Sequence, residues 1–126
     1  MNIDKTLKYA KSHEWVMDLG GGRARVGLTD YAQETLGDIV FVNLPEEGTA
    51  LTAGETLGDV ESVKAVSDIY SPVTGTVAAV NASLEDEPEK INGEPYVAWL
   101  VEVEGITGTE ALLTPEQYEA VCRQEG

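Results

Sequence analysis

Between Asp38 and Asn81 the chain is cut at close intervals by Pro45, Gly48, Gly54, Gly58, Pro72 and Gly75, and the pieces between are rich in Val, Ile and Thr. β-Branched residues favour extended backbone, while glycine permits tight reversals and proline ends a sheet ladder. Short strands at this spacing indicate a small all-β sandwich or barrel. At 126 residues the chain suits one domain. The expected division is a single domain over residues 1–126, with a core at 16–104, an N-terminal extension at 1–15 and a C-terminal helical tail at 105–126.

The flanking segments add helices and strands. `KYAKSHEWVMDLGGGRARVGLT` reads as two strands joined at Gly20 to Gly22, and its glycines lack the `GxGxxG` spacing of a dinucleotide site. In `TDYAQETLG`, Thr29 caps a short helix, Gly37 stops it, and Ala32 and Leu36 share one face. `DIVFVNLP` predicts a strand from Asp38 to Leu44, and its run Ile39 to Val42 suggests cover on both faces. Ser83 to Asp86 has the spacing of a capping box, and `VAWLVEVE` predicts a strand anchored by Trp99. In `LTPEQYEAV`, Thr114 caps a last helix, Pro115 takes its first position, Gln117 closes the box and Leu113 staples onto Tyr118. Tyr118, Val121 and Cys122 form its inward face.

Charge narrows the partners. Asp and Glu number 23 against eight Lys and Arg, a net charge of -15 that repels nucleic acid phosphates and anionic lipid alike. The same field favours partners with basic docking surfaces, or serves solubility alone. No run approaches the roughly 20 apolar residues that span a bilayer, and the start carries no secretory h-region. The expected location is the bacterial cytoplasm, or the mitochondrial matrix if a transit segment has been removed. Cys122, the sole cysteine, reads as a small buried hydrophobe in a reducing compartment.

Few residues carry chemistry. His13 is the sole histidine, with Glu14 beside it, and a zinc site there would have to recruit carboxylates or Cys122 from far along the chain; `GxSxG`, `HExxH` and calcium-loop patterns are absent. Carboxylates are too abundant for any pair to be singled out as acid and base. Lys64 stands out instead. It is the only Lys or Arg between Val26 and Glu89, a stretch holding thirteen Asp or Glu, and β-type residues on both sides place it at a hairpin tip. Its amine could anchor a carboxylate cofactor through an amide, bind a partner, or simply be solvated. A Schiff-base role needs the amine neutral, which the neighbouring carboxylates oppose.

The stretch `VESVKAVSDIYSPVTGTVAAVN` around Lys64 resembles the lipoyl-attachment segment of the glycine cleavage H-protein family. `LKYAKSHEWV`, `VGLTDYAQETLGDIVFVNLPEEGT` and `INGEPY` resemble that family in the same order, so the likeness covers most of Leu7 to Val103. It implies a mostly β, lipoyl/biotinyl-type flattened barrel or sandwich of two antiparallel sheets, with short flanking helices and a C-terminal helix. It implies lipoate held covalently as N6-lipoyllysine at Lys64. The function so implied is that of a non-catalytic shuttle. It carries an aminomethyl group from the PLP-dependent glycine decarboxylase to the tetrahydrofolate-dependent aminomethyltransferase and delivers dihydrolipoate to dihydrolipoamide dehydrogenase; lipoylating enzymes are further partners. By the same resemblance Glu14, Asp68 and Ser12 would line a cleft for the arm, and Glu61 would be read during lipoylation.

Two departures from the family pattern stand out. `PYVAW`, Pro95 to Trp99, is shorter than the family's glycine-bearing run, and Thr35 replaces a histidine found in some relatives. The core `VKA` differs from the `DKA` of 2-oxo acid dehydrogenase lipoyl domains and the `MKM` of biotinyl domains. Two other readings compete: an H-like lipoyl donor in lipoate metabolism, and an unmodified acidic protein-binding module.

Overall fold

The computed structural model describes residues 1–125. After the short β1 (Lys8–Tyr9), strands β2 (Glu14–Gly20) and β3 (Arg23–Leu28) form a hairpin whose turn needs the positive φ of Gly20, Gly21 and Gly22. Trp15 lies opposite Gly27 in this ladder, and a Cβ on Gly27 would stand 2.4 Å from the indole, so only glycine lets that ring lie flat on the sheet. Helix α1 (Asp30–Leu36) starts where Thr29 Oγ1 accepts the Ala32 N–H and stops at Gly37, as the sequence predicts.

Next come β4 (Ile39–Asn43), β5 (Ala50–Leu51), β6 (Thr56–Ser62), β7 (Val66–Tyr70) and β8 (Val73–Val80). Two single-turn helices, α2 (Ser83–Asp86) and α3 (Lys90–Gly93), lead to β9 (Val101–Thr109) and the last helix α4 (Pro115–Glu125). All pairing is antiparallel. One sheet has the order β1-β2-β3-β9-β8-β5 and the other β4-β6-β7. The inner faces enclose Val26, Val60, Ile69, Val77, Val101 and Val103. A satellite cluster of Leu7, Tyr9, Trp15, Tyr118 and Cys122 seats α4, with Tyr9 and Tyr118 stacked at 4.5 Å. Two antiparallel sheets with short helices and a C-terminal helix are the architecture the resemblance implies, and they meet the all-β expectation drawn from the residues.

Four local expectations change. Strand β4 is covered on one face only: Val40 and Phe41 are 53% and 49% exposed, because among the described residues nothing packs over the outer side of the small sheet and a register shift at Ile39/Phe41 turns Val40 outward too. Trp99 precedes the strand it was expected to anchor and lies 4.9 Å beneath the Arg25 guanidinium. Ser83 does not cap α2; Ala82 ahead of it is already in helical backbone, so the Ser83 hydroxyl donates to Asn81 Oδ1 instead. Val121 is only half-buried beside the buried Tyr118 and Cys122. The predicted box at Thr114 and Gln117 forms reciprocally, at 2.9 and 3.2 Å.

Candidate functional site: the Lys64 hairpin and its adjoining cleft

Strands β6 and β7 are last paired at Glu61 and Val66, and the chain reverses in the four residues between. No glycine serves the turn. The Ser62 N–H donates to the Ala65 carbonyl at 2.8 Å, and the Ser62 hydroxyl accepts the N–H groups of Lys64 and Ala65 at 3.2 and 3.1 Å. A serine side chain thereby satisfies backbone donors that a short turn would otherwise leave to solvent. Val63 and Lys64 occupy the tip, both exposed.

The tip rests on the turn between α1 and β4. The Val63 N–H donates to Asp38 O at 2.9 Å, and a Cβ on Gly37 would meet Lys64 Cε at 3.4 Å, so the lysine stem runs alongside that glycine. Asn92 fastens this turn from α3. Its Oδ1 accepts the Ile39 N–H at 2.8 Å, while its Nδ2 donates to Gly37 O and Gln33 Oε1, each at 2.9 Å. Asn92 belongs to `INGEPY`, which marks a resemblance in the sequence without revealing this bracing role.

Leu36, next to Gly37, borders a cavity of 170 Å³ that lies between α1, β7 and the segment entering β2. Ser12, Glu14 and Asp68 all line it, as does Thr35. Its size is below the roughly 300 Å³ at which pockets hold drug-sized molecules. Glu14 is 1% exposed. The Ser12 hydroxyl donates to its Oε1 and the Tyr70 N–H to its Oε2 at 3.4 Å, both favouring the carboxylate. Burial outweighs them and pushes its pKa up to about 7. Asp68 pairs with Asp59 in the ladder, yet β7 is the edge of its sheet and so Asp68 also reaches the cavity wall.

Glu61 lies elsewhere, exposed on the outer face of the small sheet between Phe41 and Val66. The shortened run after Pro95 does not line the cavity; Val97, Ala98 and Trp99 border a separate hollow, and Pro95 O accepts Trp15 Nε1–H at 2.9 Å. Among the described residues no group of three His, Cys, Asp or Glu is placed to hold a metal ion. His13 and Glu125 line the cavity although nothing local in the sequence links them.

An exposed lysine amine, with an acidic cavity lined by the Leu36 that precedes the glycine beside its stem, fits a carboxylate cofactor attached as an amide. Comparison with known proteins shows the family of the chain. Residues 7–125 match the family model described as Glycine cleavage H-protein. A glycine cleavage system H protein from Lachnoclostridium phytofermentans is 54% identical over 125 residues, 99% of this chain and 98% of that protein. One from Geobacillus thermodenitrificans is 50% identical over 127 residues, covering 98% and 99%. The crystal structure of a glycine cleavage system H protein from Mycobacterium marinum aligns with a TM-score of 0.88 at 41% identity, covering 94% of this chain and 97% of that one.

Proposed function

The chain belongs to the glycine cleavage H-protein family, and from that premise we propose that Lys64 is the lysine that bears its lipoyl group and that the cavity at Glu14 receives the arm. Proteins of this family are non-catalytic shuttles with lipoate covalently bound on a lysine. They carry an aminomethyl group from glycine decarboxylase to aminomethyltransferase and deliver dihydrolipoate to dihydrolipoamide dehydrogenase. Lipoate supplies the sulfur that holds the group; the chain supplies attachment, orientation and shelter.

One observation supports the assignment: Lys64 stands exposed at a braced hairpin tip, and its stem runs alongside Gly37, whose neighbour Leu36 lines the cavity. Asn92 and Asp38 O hold the tip, so the Lys64 backbone is fixed while its four-carbon stem carries the amine out from it. In the cavity, Glu14 and Asp68 face any cationic arm end with carboxylates, and Ser12 orients the Glu14 oxygen. Glu61, exposed three residues before Lys64, is available to a lipoylating enzyme. The working compartment in this reading is the bacterial cytoplasm; among the described residues no helix is long and apolar enough to cross a membrane.

The test is lipoylation of the purified chain by a lipoate ligase with lipoate and ATP, followed by peptide mapping. The reading predicts one acyl group at Lys64 and none after Lys64→Arg, since a guanidinium does not form this amide. Acylation of another lysine in the parent protein would overturn it.

A further inference from the structure

His13 holds an unusual backbone position. Its φ is 77°, in the left-handed region where residues other than glycine are uncommon. Hydrogen bonds on both sides keep it there: its N–H donates to Ala10 O at 3.0 Å and its carbonyl accepts the Thr29 N–H at 3.1 Å. This backbone sends the imidazole between Tyr31, stacked at 4.7 Å, and Tyr118, edge-on at 5.6 Å.

Both ring nitrogens are engaged. Nε2 lies 3.0 Å from Glu125 Oε1 and Nδ1 lies 2.8 Å from the Tyr118 hydroxyl, which is 2.7 Å from Thr29 Oγ1. A carboxylate only accepts, so Nε2–H donates to Glu125. In the neutral ring Nδ1 then accepts, and the donor is the Tyr118 O–H. With the Tyr118 proton directed to Nδ1, the Tyr118 oxygen is the acceptor for the Thr29 hydroxyl, whose own oxygen accepts the Ala32 N–H. The result is one directed chain from the start of α1, through the buried Tyr118, to a carboxylate on the last turn of α4.

That carboxylate stands on the wall of the same cavity as Glu14 and Asp68, and no Lys or Arg lines it. We infer that Glu125, held in place by His13, is a third acidic wall of the arm cleft and makes the cleft select a cationic arm end over a neutral one. Here His13 is a positioning residue and Glu125 a specificity-determining one. The inference rests on the cavity being the seat of the Lys64 arm, and the experiment separates the two.

In Lys64→Cys protein the buried Cys122 leaves position 64 as the thiol open to labelling. It is joined through a disulfide to chains of lipoyl-lysine length that end in either an ammonium or a hydroxyl group. The docked fraction is read from the backbone amide shifts of Ser12 and Asp68. Glu125→Gln keeps an acceptor for His13 and removes the charge. His13→Asn tolerates the positive φ and can still reach Tyr118, but it falls short of Glu125.

Each variant is expected to lower the docked-to-free ratio of the ammonium chain about two- to fivefold, the range of a partly exposed ion pair. The hydroxyl chain should not respond, and the double variant should be no worse than either single one. An unchanged ammonium ratio in Glu125→Gln and His13→Asn, with a lowered one in Glu14→Gln, would overturn the role of Glu125 alone. No change in Glu14→Gln either would overturn the cleft reading beneath it.

Discussion

Oε2 of Glu14 on β2 accepts the backbone N–H of Tyr70 on β7 at 3.4 Å, so one buried carboxylate joins the large sheet to the small one at the wall of the cavity. That contact puts structural stability and the chemistry of the cleft on the same titrating group.

Its effect on stability has a definite sign. Burial raises the folded-state pKa of Glu14 from 4.5 to about 7. Between those values the folded chain keeps a proton that the unfolded chain has lost, so stability falls as pH rises through this window and levels off above it. The loss amounts to about 3 kcal/mol by the linkage relation. Urea unfolding of the parent and of Glu14→Gln at several pH values should show their stability difference shifting by this amount between about pH 4.5 and 7 and constant above.

The same group should govern retention of the loaded arm. Above pH 7 Glu14 is ionised and attracts a cationic amine; below, it is neutral and the attraction fades. Glu14→Gln should therefore shorten the lifetime of the aminomethyl-bearing protein about tenfold at pH 8, the scale of a hydrogen bond to a charged group. Lipoylation itself should be unchanged. Timed loss of the group by intact mass provides the check.

Asn92 braces the hairpin from a distance. Asn92→Ala leaves the Ile39 N–H and Gly37 O without the partners they have now, at a cost of about 1 to 3 kcal/mol in unfolding free energy. The tip would lose its fixed seat, so the KM for lipoylation of Lys64 should rise while the rate at saturation changes little. Ligase kinetics with the variant as acceptor separate the two effects.

Glu61 is exposed and makes no contact with the cleft. Glu61→Gln should lower kcat/KM for lipoylation and leave both the unfolding midpoint and the docking of the arm as they are. Equal kcat/KM for parent and variant would remove Glu61 from the recognition surface.

What the sequence discloses here is mostly local. Thr29 and Gly37 bound α1, and Thr114 with Gln117 begins α4, because each device needs only residues a few positions apart. Lys64 is legible through its isolation among carboxylates and β-type neighbours. The exposure of Val40 and Phe41 is not, since an apolar run looks the same whether a second layer covers the strand or stops short of it. His13 and Glu125 meet across 112 positions, and Asn92 reaches Gly37 across 55; such pairs follow from how the two sheets close and leave no periodic trace. Ser12, Glu14 and Asp68 are named in advance by resemblance to relatives, whereas the burial that shifts Glu14 emerges only with the fold.

A lipoyl shuttle working through Lys64 must carry both the lipoyl group and its glycine-derived load on that residue. The most direct measurement is intact mass with peptide mapping of the protein from its native host, before and after incubation with glycine and glycine decarboxylase. One lipoyl group on Lys64 and a glycine-dependent aminomethyl gain on that same peptide are expected of this role. A bare Lys64 in a host that lipoylates its other carriers, or a lipoylated Lys64 that glycine never loads, would contradict it.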